Sequence, residues 1–138
     1  MYRYRVILEA LVREVEADLR NQIVDPAHPA YGAFIAAHYG MPAADHTSGG
    51  LSVARAVCAL LAEQSPLRFD PDLCDRVLAG LRFIQRAQRP TGLIDLPKVD
   101  FDSPPDTAFV VQMFCPLLEF ARRLAADGNA TAREVGPS

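Results

Sequence analysis

The sequence predicts an all-α chain built of antiparallel helical hairpins. Three observations lead there: apolar residues recur at spacings of three and four over four separate stretches, prolines and polar caps stand at the ends of those stretches, and the unusual chemistry falls in the loops between them. In the first stretch, Tyr4, Ile7, Leu8, Leu11, Val12, Val15, Leu19 and Ile23 share one face, with Arg13, Glu14, Glu16, Asp18 and Arg20 opposite. It should stop near Asp25-Pro26, because a residue before proline is pushed out of the helical region. Pro26 to Gly50 then carries His28, His38, His46, Tyr31 and Tyr39 among four glycines and three prolines. Apart from a short helix through Phe34 to Tyr39, this segment should be irregular, and a loop so long is usually functional or mobile.

A second helix, marked by Leu51, Ala54, Val57, Cys58 and Leu61, starts from Ser48-Gly49-Gly50 and ends before Ser65-Pro66. Asp70-Pro71-Asp72 opens a third with a side-chain acceptor at the N-cap, proline at N1 and negative charge at the positive end of the dipole. Leu73, Val77, Leu78, Leu81 and Ile84 form its buried stripe, which runs out at Arg89-Pro90. A fourth begins at Ser103-Pro104-Pro105-Asp106, a variant of the capping box. From Thr107 to Leu118 it is apolar nearly all round, so it should be covered on most sides, and Pro116 should kink it. Residues 1–128 are expected to form one helical domain, with Gly128 as C-cap and 129–138 as a flexible tail.

Composition narrows the partners. A chain of 138 residues with half its residues hydrophobic can bury a proper core. Its net charge of −3 develops no basic stripe, which argues against nucleic acid. The apolar run from Ala108 to Leu118 is too short to span a bilayer, and the charged start is unlike a signal peptide. Cys58, Cys74 and Cys115 are odd in number, lack CxxC spacing and sit in apolar helical patterns. They read as buried free thiols in a reducing compartment, the cytoplasm by default.

The loop chemistry is densest from Pro90 to Asp106, where Asp95, Asp100, Asp102 and Asp106 cluster around Phe101. Such carboxylates can bind a cation, hold sugar hydroxyls or supply a general acid. Plainer roles compete: Asp106 as a helix cap, Asp100 and Asp102 as solvated charges, Tyr31 and Tyr39 as core or rim aromatics. The histidines lack zinc-site spacing, and Asp45-His46 reads first as polar loop packing. Ser48 and Ser103 lack a nucleophile-elbow context.

Two pieces together carry a resemblance. Gln88-x-x-x-Gly92-x-x-Asp95-Leu96, followed by Phe101-x-Ser103-Pro104-Pro105-Asp106-Thr107-Ala108-Phe109, resembles the opening region of bacterial α/α-toroid proteins. These are related in fold to heparinase II/III-type polysaccharide lyases and (α/α)6 glycoside hydrolases. The match covers about twenty residues. A weaker likeness, of Gln-x-x-x-Gly to terpenoid-cyclase-like α/α barrels, lacks the aromatic after the glycine. The first resemblance implies a partial toroid-like array, with loops at one end lining a saccharide cleft. Asp95, Asp102 and His46 are then the candidate catalytic residues, and Phe101, Asp106, Tyr39 and Asp100 the candidate substrate-binding ones. No cofactor and no metal are expected. The implied partners are an oligosaccharide and either a second copy of the chain or the rest of a longer helical one. Two alternatives stand beside it: a non-catalytic helical protein–protein interaction module, and metal-dependent hydrolysis through the aspartates.

Overall fold

The computed structural model describes residues 2–38, 40–96 and 101–126. The expected cap at Gly128 and tail at 129–138 lie outside these. Among the described residues there are four helices, α1 (Tyr2–Leu19), α2 (Gly49–Leu61), α3 (Pro71–Ala87) and α4 (Pro104–Ala126). There are also four short strands: β1 (Phe34–Ala36), β2 (Met41–Ala43), β3 (Ile94–Leu96) and β4 (Phe101–Ser103). They pair as two antiparallel hairpins, β1 with β2 and β3 with β4. The all-α expectation, and with it the partial toroid-like array, is therefore corrected to a small mixed domain of helices and two-stranded sheets.

Where a helix is expected through Phe34 to Tyr39, Phe34–Ala36 form a strand instead. Phe34 and Ala36 are buried while Ile35 between them is exposed, the period of two that a strand imposes. Phe34 registers against Ala43, and Ala36 against Met41. Burying Phe34 beneath Gly80 of α3 decides the outcome, since a helix would turn that ring away from its neighbours.

α1 ends at Leu19, earlier than the proline alone would require. Arg76 of α3 donates to the Leu19 carbonyl at 2.5 Å, and Gln22, buried just beyond, grips α3 in both directions. Its Nε2 donates to the carbonyls of Gly32 and Arg76 at 3.0 and 2.9 Å, and its Oε1 accepts from Arg76 Nε at 2.8 Å. The start of α3 is as read: Asp70 Oδ1 accepts from the Leu73 backbone at 2.7 Å, with Pro71 in the first turn.

The central helix is α2, not α4. α1, α3 and α4 all pack on it, and ten of its thirteen residues are buried. Tyr4 reaches Glu63 while Arg55 meets Asp18, so α1 and α2 run antiparallel. Gly80 faces Val53, Phe69 bonds Leu60, and Gly50 faces Val110, which makes α3 antiparallel and α4 parallel to α2. Both β-hairpins therefore emerge at one end of the helices.

α4 is less covered than its composition suggests. Phe109, Val111 and Phe120 are exposed, and its buried residues are Asp106, Thr107, Val110 and Ala121. It continues through Pro116, whose position and that of Gln112 are exposed, so water can take the carbonyl the proline leaves unpaired. Cys74 is buried and Cys58 partly so, but Cys115 is exposed on this open side, which corrects its reading as a core thiol. Among the described residues, no helix is long and apolar enough to cross a membrane.

Candidate functional site

The site is built from the ends of α2, α3 and α4 and the two hairpins set there. α3 stops at Ala87, and the chain turns through Thr91-Gly92, Gly92 taking the φ of +81° that favours glycine. Arg89 closes this turn, its N–H donating to Leu93 and its carbonyl accepting from Gly92. The next residues form the β3–β4 hairpin, with Asp95 directly opposite Asp102.

Two like charges facing one another across a hairpin repel. Arg89 resolves this by lying between them: its Nε and Nη2 are each 2.6 Å from an Asp95 oxygen, and its Nε is 3.4 Å from Asp102 Oδ1. Thr91 Oγ1 donates to Asp102 Oδ2 at 3.2 Å. The Oδ1 atoms of both aspartates are shielded from solvent and have charge contact with Arg89, but neither accepts an aligned hydrogen bond among the described residues. One guanidinium between two carboxylates offsets part of their charge, and the fork still has acceptor capacity.

Strand alternation sends Ile94 and Ser103 to the other face, where both are buried. Ser103 there joins a second network. Its hydroxyl donates to Asp106 Oδ2, its carbonyl accepts from Thr107 Oγ1 at 2.8 Å, and that same Oγ1 accepts from Ile94 N–H at 2.9 Å. Asp106 Oδ1 meets His46 Nδ1 at 2.8 Å, and the His46 ring lies 4.7 Å from that of Phe109. A carboxylate only accepts, so the bond runs from His46 Nδ1–H to Asp106 Oδ1. Asp106 is 8% exposed. This pair ties the loop before α2 to the start of α4, sixty residues on.

Asp45, wholly buried, orders that loop. Its carboxylate accepts from Thr47 N–H at 2.9 Å, Thr47 Oγ1 at 2.6 Å and the Ser48 hydroxyl. Burial pushes its carboxyl upward, but the hydrogen bonds from Ser48 and Thr47 and the neighbouring His46 outweigh this and hold it below the ordinary carboxylate value. The glycine pair beyond answers close packing: a Cβ on Gly49 would fall 1.9 Å from the Ala43 carbonyl oxygen. Asp45, His46 and Asp106 offer ligand atoms within 4.8 Å of one another. A cation there would have to displace the donors already on Asp45 and Asp106, so the arrangement is a hydrogen-bond network first. At Asp95 and Asp102 the guanidinium of Arg89 already stands where a cation would sit.

The expected residues thus fall into two sets. Asp95 and Asp102 form one face of the hairpin, while His46 and Asp106 bond directly behind it through Ser103. Tyr39, Asp100 and the Phe101 side chain lie outside the described residues. Sequence reading passed over Arg89, Thr91 and Phe109; an arginine six residues before an aspartate, across a Thr-Gly turn, was the available signal for the first. Between the hairpins lies a cleft of about 250 Å3, with Met41 and Pro42 from β2, Phe83 and Ala87 from α3, and Asp95 at its edge.

No family model, curated protein or solved structure matches the chain.

Proposed function

We propose that the hairpin end of the molecule binds an oligosaccharide. The observation that carries this reading is the cleft between the hairpins, where an apolar floor of Phe83, Met41 and Pro42 meets Asp95 held by Arg89. A sugar ring presents the same pairing, C–H faces that rest on apolar surface and hydroxyls that seek carboxylate and guanidinium partners. Asp102, bonded by Thr91, stands opposite Asp95 on the same hairpin. His46 and Asp106 serve here as positioning residues, since their contacts hold the two hairpin-bearing loops together. Three cysteines outside any disulfide favour the cytoplasm as the compartment.

Calorimetric titration with neutral and uronate-containing oligosaccharides tests the reading. Asp95→Asn removes a charged acceptor worth roughly 1.5–3 kcal/mol, so affinity should fall about 10- to 100-fold while the melt is nearly kept. Binding that ignores this substitution, or none to any saccharide, refutes it.

A second reading, a helical interaction module, has its own observation. α1 and α4 leave between them a groove of about 390 Å3 lined by Tyr4, Ile7, Leu11, Cys58, Leu117 and Phe120, with Ile7 67% exposed. Its one phenolic hydroxyl is already bonded to the Glu63 carbonyl. The occupant assigned is the same face of a second copy, on which Ile7 and Phe120 stand exposed beside the groove. Light scattering should then give a mass above the monomer, and a monomer at every concentration refutes it.

A further inference from the structure

We infer that a second cavity, at the junction of α1, the β1–β2 turn and the start of α2, is a site for a small neutral polyhydroxylated ligand of monosaccharide size. The inference extends the saccharide reading to a place that reading does not use. The cavity measures about 210 Å3 and is lined by Asp18, His38, Thr47, Ser48, Ser52 and Arg55, with few apolar neighbours. At about 30 Å3 per water it holds roughly seven waters, or one sugar ring with its hydroxyls.

Ser52 points to a ligand. It is 7% exposed and lines the cavity, yet its hydroxyl makes no hydrogen bond among the described residues. A serine within a helix ordinarily bonds back to the carbonyl four residues before it. Here the Ser48 carbonyl accepts from the Ser52 backbone N–H, and among the described residues no bond joins it to the Ser52 hydroxyl. Ser52 lines the cavity, so the hydroxyl's partner there is water or a ligand.

The other groups determine what kind of ligand. Arg55 Nη1 is 3.2 Å from Asp18 Oδ2 and 3.4 Å from Glu14 Oε2, so its charge is already balanced and an anion gains little. Among the described residues its Nε and Nη2 have no acceptor, and Asp18 Oδ1 has no donor. Thr47 and Ser48 spend their hydroxyl protons on Asp45, so their oxygens are left to accept. Donors and acceptors are thus present together, and the carboxylates outnumber the one guanidinium, which disfavours an anion. Hydroxyl groups, each both donor and acceptor, match that set, whereas phosphate would meet Asp18.

The test is an amide-resolved NMR titration of the whole chain with neutral monosaccharides and, separately, with inorganic phosphate. Neutral sugars should shift the amides of Ser48, Leu51, Ser52 and Arg55, saturably and in the millimolar range. Ser52→Ala, which removes one methyl-sized hydroxyl and keeps the helix, should weaken those shifts several-fold, and Asp18→Asn with it at least tenfold. Phosphate shifting the same amides more strongly than sugar overturns the ligand class. Silence at these amides while sugars shift Ile94 and Asp95 overturns the second site and leaves the hairpin reading standing. Shifts at Ser52 with none at the hairpin would do the reverse.

Discussion

Replacing Asp106 by alanine is the sharpest test of how the hairpin end is held. As a helix cap alone, Asp106 would be worth about 0.5–2 kcal/mol. The structure gives it more to do. Its carboxylate accepts from His46 Nδ1 at 2.8 Å and from the Ser103 hydroxyl, and it sits in the first turn of α4. A hydrogen bond to a charged group contributes roughly 1.5–3 kcal/mol, but His46, with 31% of its side chain exposed, can recover water when its partner goes. Ser103, 4% exposed, cannot. Counting most of one such bond, part of the other and a few tenths for the helix dipole gives about 3 kcal/mol. For a chain of this length that is a fall in Tm of roughly 10 °C. Urea denaturation of the wild type, Asp106→Ala, His46→Ala and the double variant would measure it, with a coupling of about 1–2 kcal/mol between the two positions. Asp106→Asn should recover about half, because an amide oxygen replaces only one acceptor. A loss below about 1 kcal/mol, with additive single variants, would mean that Asp106 is merely a cap and that His46 does not depend on it.

Acid denaturation should report Asp45. Its folded carboxyl lies below the ordinary value of 3.8, so the stability it contributes is complete above that value and is lost as pH falls through the lower, folded one. Asp45→Asn should therefore be less stable at neutral pH and flatter below pH 4, and an unchanged acid limb would contradict the network drawn around it. Arg89→Met should cost about 1 kcal/mol, with faster amide exchange at Ile94 to Leu96 where two carboxylates would then face each other. Adding Asp102→Asn should restore protection, and no change in exchange would mean the guanidinium is not what holds the hairpin. Thiol labelling should be fast at exposed Cys115, slower at Cys58, whose thiol is pushed up by burial, and slowest at buried Cys74. The reverse order for Cys115 would show its face to be covered in solution.

Helix positions were legible in the residues themselves, because a helix is a local structure. The stripe from Leu73 to Ile84, the Asp70-Pro71 start and the Ser103 to Asp106 start all depend on neighbours three or four residues away, and all three are found where they were read. The polar character of the segment ending at Asp106 was legible for the same reason, since four aspartates in twelve residues need no fold to be seen. Strands of three residues are too short to show a period of two, and each pair depends on its partner's register and on burial supplied from elsewhere, as Phe34 under Gly80 illustrates. Tertiary structure alone decided that α2, the shortest helix, is the central one and that α4, apolar from Ala108 to Leu118 save Gln112, keeps an open face. It also decided which charges meet. The alternating pleat divides Asp102 from Ser103, Arg89 binds the first with Asp95, and the second bonds Asp106, which in turn holds His46. The chain folds its antiparallel helices so that loops sixty residues apart share one end, and that proximity is a property of the packing, which no stretch of sequence contains by itself.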